Sequence, residues 1–256
     1  MSFNPPFVHR FQAMTVPCEV QLYHSEKAAD IAALIESNTL RLEQKFNFYD
    51  SHSWLNQQVN QRQSSSVVLD DESYAVFEVL KRLVDGTKGV FDPTVGTVKS
   101  MMASTPKLDR SAAYEGAKAF MGVDAWSLSD KTLSIPHAET QFDLGGVIKE
   151  FAVDQAVMIA EKFGVSSALV NFGGDIRALG TKPDGAPFNV AVLNPKNKHE
   201  PFFSLPLANA ALTTSAHYER SFQFGDEESS HILSQRGTHP QVLSVSVLAP
   251  TTLEAG

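Results

Sequence analysis

Apolar positions recur at helical spacing in three long stretches of the chain. Ala28, Ile31, Ile35, Leu42 and Phe46 follow one another at steps of three, four and seven, which predicts a helix capped by Ser25 and running to about residue 47. Tyr74, Phe77, Leu80 and Val84 form the apolar face of a second helix, opened by Asp71 and stopped by Gly86. Ile148, Phe151, Ala152, Ala156 and Ile159 mark a third over 147–163, and a shorter helix is expected over 111–121. Other stretches read as strand. Residues 11–23, FQAMTVPCEVQLY, look like one opening strand interrupted by Pro17. Ser167–Phe172 is an apolar run ending in the tight turn Gly173-Gly174-Asp175, and Phe188–Leu193 follows. Leu243, Val245, Val247 and Ala249 alternate with Ser244 and Ser246, the pattern of a half-buried strand. The polar stretch 57–66 reads as loop. Helices thus concentrate in the first two thirds and strands in the last third. That is not the β-α-β-α rhythm of a doubly wound sheet, so the expected class is α+β. No repeat or linker interrupts the pattern, and one integrated domain over 1–256 is expected.

Composition narrows the function classes. The 256 residues carry 21 lysines and arginines against 29 acids, a net charge of −8, which argues against nucleic acid as a partner and against anionic membrane surfaces. The single cysteine, Cys18, excludes an internal disulfide and a cysteine-rich zinc site. No stretch approaches the ~20 apolar residues of a spanning helix, so no membrane span is expected. The N-terminal MSFNPPFVHRFQAM has no long apolar run, so no secretory signal is expected in this chain and the cytoplasm is the default compartment.

Four polar clusters interrupt the apolar pattern. The first is Gly89-Val90-Phe91-Asp92-Pro93-Thr94-Val95-Gly96. Its composition suits a plain loop, or a backbone that approaches a ligand closely with Asp92 and Thr94 as hydrogen-bonding groups. The second is Asp143-Leu144-Gly145-Gly146, just before the helix that carries Lys149. Two glycines opening a helix leave amide N–H groups aimed at one point, a seat for phosphate to which Lys149 adds positive charge; the alternative is only a turn. Neither GxGxxG nor GxxxxGK[ST] is present, nor are HExxH and GxSxG. The third is Thr213-Thr214-Ser215 with Tyr218 and Arg220, and the fourth Ser229-Ser230-His231. A lone histidine such as His231 is more often surface or satisfied core than functional.

In order along the chain, these clusters resemble the ApbE family of FAD:protein FMN transferases. The matching segments are FQAMTVPC at 11–18, the stretch from Glu43 to Asn56, GVFDPTVG at 89–96, DLGGVIKEFAVDQA at 143–156, ALVNFGGDIRALG at 168–180, TTSAHYER at 213–220 and SHIL at 230–233. The resemblance implies an α+β, ApbE-like (T-fold-like) single domain with mostly antiparallel sheets. It also implies Mg²⁺-dependent transfer of FMN from FAD to a threonine or serine of a target flavoprotein, with release of AMP. Carried over by position, Met14, Phe91, Asp92, Thr94, Asp143, Lys149 and Ile232 would contact FAD. The carbonyl of Gly146 would bind the metal, and His231 would be the candidate proton acceptor at the reacting phosphate. A homodimer is left open, and family members are often periplasmic lipoproteins.

The sequence also departs from the family pattern. The family's DPRTG after its HI pair is replaced by Ser234-Gln235-Arg236-Gly237, its TSG turn by Thr214-Ser215-Ala216, and its GKG by Ile148-Lys149-Glu150. The last change is expected to place an extra negative charge beside the pyrophosphate seat. After APTTLEA the family continues into an aspartate and then a threonine, both metal ligands. Here Gly256 stands at or next to the aspartate's place, so the chain is expected to fall short of the family's C-terminal segment and to bind Mg²⁺ more weakly. An active transferase is therefore expected first. A catalytically degenerate FAD-binding member, acting as flavin carrier or regulator, is the alternative, followed by an interaction protein on an old enzyme scaffold.

Overall fold

The computed structural model describes residues 5–105, 108–216, 221–224, 227–230 and 242–256. The chain divides into two compact units, and each is discontinuous in sequence. One comprises residues 1–43, 149–221 and 241–256; the other comprises 44–148 and 222–240. The class is α+β, as the periodicity predicts.

The first unit is built on a six-stranded sheet. Its strands are β1 (Phe7–Ala13), β2 (Val16–Leu22), β6 (Ala168–Phe172), β7 (Asp175–Leu179), β10 (Ala210–Ala216) and β13 (Ser244–Ala249), in the order β1-β2-β6-β7-β10-β13. Every neighbouring pair is antiparallel. The expected single strand over 11–23 is instead a hairpin, turned at Met14 and Thr15 with φ of 51° and 64°. Pro17 causes no break; within β2 it pairs with Gln12 of β1. Between β6 and β7 the turn is Gly173-Gly174, with φ of 59° and 96°, and Asp175 opens β7 opposite Phe172. Only glycine suits Gly173, because a Cβ there would lie 2.6 Å from Val16 Cβ as well as needing a left-handed backbone. A separate hairpin, β8 (Phe188–Asn194) and β9 (Asn197–Leu207), alternates buried and exposed positions along β8. Its Phe188, Val190, Val192 and Leu207 pack with Ile176, Ala178 and Leu212 of the sheet into one core.

Two helices belong mainly to this unit. In α1 (Ala28–Phe46) Ala28, Ile31, Ala32, Ile35, Leu42 and Phe46 are buried, the expected stripe. In α5 (Ile148–Lys162) small residues predominate on the buried face, with Ala152, Val153, Ala156, Val157 and Ala160 nearly inaccessible. The chain passes from one unit to the other within α1 and at the first turn of α5.

The second unit holds α2 (Asp71–Gly86), α3 (Gly96–Ser104), α4 (Arg110–Ala117) and a three-stranded sheet of β3 (Ser66–Val68), β4 (Ser127–Ser129) and β5 (Thr132–Ser134) in the order β3-β5-β4. A two-stranded ribbon, β11 (Ser221–Phe224) with β12 (Glu227–Ser230), follows later in sequence. Asp70, rather than Asp71, caps α2 by accepting from the Ser73 amide. Gly86 lies inside the helix end, with Thr87 as its C-cap. The helix expected over 111–121 is shorter, Asp109 capping α4 and a 3₁₀ turn covering Lys118–Phe120. Phe77, Trp126 and Phe142 form an edge-on aromatic triad at centroid distances of 5.3–6.1 Å and are almost wholly buried.

The polar stretch read as loop is partly helical: Leu55–Asn60 form a π-helical turn. Its polarity is turned inward. Asn56 donates to the carbonyls of Asn47, Phe48 and Asp50 and accepts from Asn60. Asn60 in turn exchanges two hydrogen bonds with the Phe142 backbone. Buried amides that are fully bonded in this way fix a loop as firmly as an apolar core does. A short remaining helix, α6 (Thr252–Ala255), ends the first unit.

Candidate functional site

In the second unit the two glycine-bearing motifs are stitched together. The Asp143 amide donates to the Pro93 carbonyl at 2.8 Å, the Gln141 amide to Thr97 Oγ1 at 3.0 Å, and Val95 bridges Gln141. Phe91 lies against the glycine pair, its Cε2 3.3 Å from where a Cβ on Gly146 would stand. Asp92 Oδ1 accepts from both the amide and the hydroxyl of Thr94, at 2.9 and 2.5 Å. Burial pushes the Asp92 carboxyl above the usual aspartate value, and the Thr94 bonds only partly oppose this. Phe91, Asp92, Thr94, Asp143 and Gly146 are therefore brought into one region.

Asp143 holds this region in place. Its Oδ1 accepts from the Gly145 amide at 2.9 Å, and its Oδ2 pairs with Lys99, whose ammonium also donates to Tyr49 Oη at 3.3 Å. Burial works against the Lys99 ammonium, but Asp143 and then Tyr49 more than offset it, and its pKa is raised. Lys99 and Tyr49 carried no sequence signal of their own. Tyr49 lies within the segment from Glu43 to Asn56, and Lys99 stands three residues beyond GVFDPTVG.

The helix start differs from the expected phosphate seat. The amides of Gly145, Val147 and Ile148 are all donated internally, to Asp143 Oδ1 and twice to the Leu144 carbonyl. The Gly145 amide is therefore turned to Asp143 and not to an open point. The glycines instead allow the tight turn and the close approach of Phe91.

In the first unit a cavity of about 1000 Å³ lies over the sheet, lined by the β1–β2 hairpin, the Gly173-Gly174 turn, β8 and Lys149. That is the upper end of ordinary small-molecule sites. Thr15, beside Met14 in the hairpin turn, contributes to the wall, as do Asn171 and Thr214. Lys149 is not a lone cation. Its Nζ lies 2.6 Å from Asp175 Oδ2, and both side chains are largely buried.

Glu150 completes this cluster. It is buried, and burial first, then the facing Asp175 carboxylate, pushes its pKa up to about 8, against the pull of Lys149. Burial and Asp175 thus favour the protonated form of Glu150. Glu150 Oε2 and Asp175 Oδ2 are both buried with no hydrogen-bond donor; the close Lys149 contact is off hydrogen-bond geometry. Among the described residues no group of three or more His, Cys, Asp or Glu side chains is arranged to hold a metal. The donor set that does fit a hard cation is this pair, since magnesium is commonly held by one or two carboxylates with water and phosphate oxygens completing its shell.

A second buried acid fastens the chain's last segment. Asp154 on α5 accepts from the Thr252 amide (3.0 Å), Thr252 Oγ1 (2.5 Å), the Leu253 amide (3.1 Å) and Arg177 (2.7 Å). His231 and Ile232 lie outside the described residues, as do Tyr218 and Arg220. Among the described residues no helix is long and apolar enough to cross a membrane.

This fold is that of flavin transferases of known structure. The ApbE protein of Thermotoga maritima superposes with a TM-score of 0.84 at 27% identity, covering 98% of this chain and 84% of that one. The flavin transferase ApbE of Vibrio cholerae gives 0.80 at 21% identity, with the same coverage, and so bears on fold alone. The ApbE family model matches residues 14–256, and the chain belongs to that family. Among curated relatives, the FAD:protein FMN transferase of Treponema pallidum is 28% identical over 93% of this chain and 73% of its own length. That of Haemophilus influenzae is 28% identical over 68% of this chain and 54% of its own length.

Proposed function

We propose that the chain is an FAD:protein FMN transferase, moving FMN from FAD onto a threonine or serine of a target flavoprotein and releasing AMP. Membership of the ApbE family over residues 14–256, beside relatives that bear this name, is the observation that carries the reading. The first unit's cavity, with Lys149 on its wall, supports it, because a dinucleotide needs both apolar wall and a cation near its phosphates.

In this reading the acceptor oxygen attacks the FMN-side phosphorus of FAD. The bond from that phosphorus to the bridging oxygen breaks, and AMP leaves with the oxygen. The hydroxyl proton passes to His231. Met14, Phe91, Asp92, Thr94, Asp143, Lys149 and Ile232 hold FAD, and the Gly146 carbonyl contributes to a Mg²⁺ site. A bound divalent cation supplies charge neutralisation at the phosphates. Lys149 orients the anionic bridge, Asp143 fixes the 143–146 turn, and the buried Asn60–Phe142 link keeps Asp143 from drifting.

Two observations favour the second reading, a carrier or regulator that keeps FAD intact: Asp175 already pairs with Lys149, and the amides of Gly145, Val147 and Ile148 are internally bonded. One experiment separates the two. The chain is incubated with FAD and Mg²⁺, with and without a flavoprotein domain that a family relative flavinylates, and AMP is followed by chromatography. AMP release that depends on the acceptor domain is expected. Quenched flavin fluorescence with no AMP would favour the carrier, and absence of any FAD binding would overturn both.

A further inference from the structure

Glu150 and Asp175, 9% and 2% exposed, interact across a buried space; neither Glu150 Oε2 nor Asp175 Oδ2 takes a hydrogen bond, and Asp175 Oδ2 has only the Lys149 ion pair at 2.6 Å. One ammonium, Lys149, cannot neutralise two carboxylates. When both are ionised, something positive must sit between them, and only a proton or a cation is small enough.

Gly256 identifies the space involved. A Cβ added to Gly256 would lie 2.7 Å from Glu150 Cγ and 3.2 Å from both its Cδ and Oε1. The Glu150 side chain therefore fills the volume that a side chain at 256 would occupy. The resemblance implies a glycine where this chain has Glu150 and a metal-binding aspartate at or next to Gly256, and Glu150 is the acid that reaches that space. The surroundings are fixed: Thr252 Oγ1 donates to the Glu150 carbonyl at 2.9 Å, and Asp154 clamps the segment that ends in Gly256.

We propose that Glu150, backed by Asp175, is the carboxylate ligand of the divalent cation in this chain, presented from α5 instead of from residue 256. The inference rests on the transferase reading for its cation, but its donors are on the page independently of FAD. Two carboxylates, with water and phosphate oxygens completing the shell, suit magnesium and its common probe manganese. Cation binding also relieves the charge conflict between the two carboxylates and leaves Lys149 with less acid to neutralise.

The test is Mn²⁺ binding to the FAD-free protein, followed by electron paramagnetic resonance, with thermal unfolding as the check of folding. Wild type is expected to bind at a saturable site. Glu150→Gln keeps the shape and supplies a donor to Asp175, and should weaken Mn²⁺ by about tenfold or more. Glu150→Gly should lose binding, and adding Gly256→Asp to it should restore binding by returning a carboxylate to the same space from the other side. Equal Mn²⁺ affinity in wild type and Glu150→Gln overturns the proposal, as does absence of Mn²⁺ binding in wild type or failure of the folded exchange variant to regain it. FAD binding, measured separately by fluorescence quenching, distinguishes the failures. A metal site without FAD affinity defeats only the transferase reading, whereas FAD affinity with Mn²⁺ binding indifferent to residue 150 defeats only this proposal.

Discussion

Asp154→Ala should be the most damaging single truncation outside the apolar core. The buried carboxylate accepts two backbone amides and one hydroxyl from Thr252 and Leu253, and pairs with Arg177. Its removal deletes those bonds together and leaves a guanidinium, 19% exposed, without its carboxylate. Breaking a buried pair by removing one partner costs about 3–5 kcal/mol. For a chain of this size that corresponds to a fall in Tm of about 6–20 °C. Arg177→Met removes only the guanidinium and keeps the other three donors, so it should cost about 1.5–3 kcal/mol, the range of a charge-assisted hydrogen bond. The double variant should be less destabilised than the sum, because no unpaired guanidinium is left. Thermal and denaturant unfolding of the four proteins gives the cycle, and chymotrypsin cleavage at Leu253 reports whether the segment has come loose. A loss below about 1 kcal/mol in Asp154→Ala, or strict additivity, would refute the assignment of Asp154 as the clamp.

Three further outcomes follow from individual residues. Gly173→Ala combines left-handed strain with a clash against Val16, and should cost about 2–4 kcal/mol; denaturant titration checks this, and a neutral effect would contradict the close packing of the β6–β7 turn. The Cys18 thiol is pushed up to about 11 by burial, so Ellman's reagent at pH 8 should label it only after unfolding, and rapid labelling of native protein would contradict its placement. The Asp92 carboxyl is raised above its ordinary value of 3.8, so the folded state holds the proton more tightly and stability falls as pH rises from that value through the folded pKa. Asp92→Asn keeps the acceptor for Thr94 and should gain on wild type across that window; parallel stability curves for the two would sink the argument.

The long helices were legible because a 3.6-residue period over three or more turns has no competing reading. Ala28 through Phe46 and Ile148 through Ile159 show this directly. Shorter features were hidden for physical reasons. The β1–β2 turn uses Met14 and Thr15 at positive φ, residues that carry none of the Asn-Gly or Gly-Gly signal of a hairpin. The π-helical turn at 55–60 looked like loop because its buried face is made of asparagines, satisfied by carbonyls that only the fold brings near. Helix α3 went unread because Val95 provides no side-chain cap and nine residues hold too little periodicity. In the candidate site, motif order brought Phe91, Asp92, Thr94, Asp143 and Gly146 into one region. The partners that set their chemistry were not readable: Lys99 lies 44 residues from Asp143, and Asp175 meets Lys149 and Glu150 only across the β6–β7 turn. Glu150 reads in the sequence as an extra charge beside the phosphate seat; its burial against Asp175 is visible only in the fold.

The central claim, transfer of FMN to a protein hydroxyl, is tested most directly by intact mass spectrometry of the acceptor domain after incubation with the chain, FAD and Mg²⁺. A gain equal to FMN less one water, on the acceptor and absent when its threonine or serine is replaced by alanine, is the expected result. An acceptor of unchanged mass beside fully bound, intact FAD would contradict it.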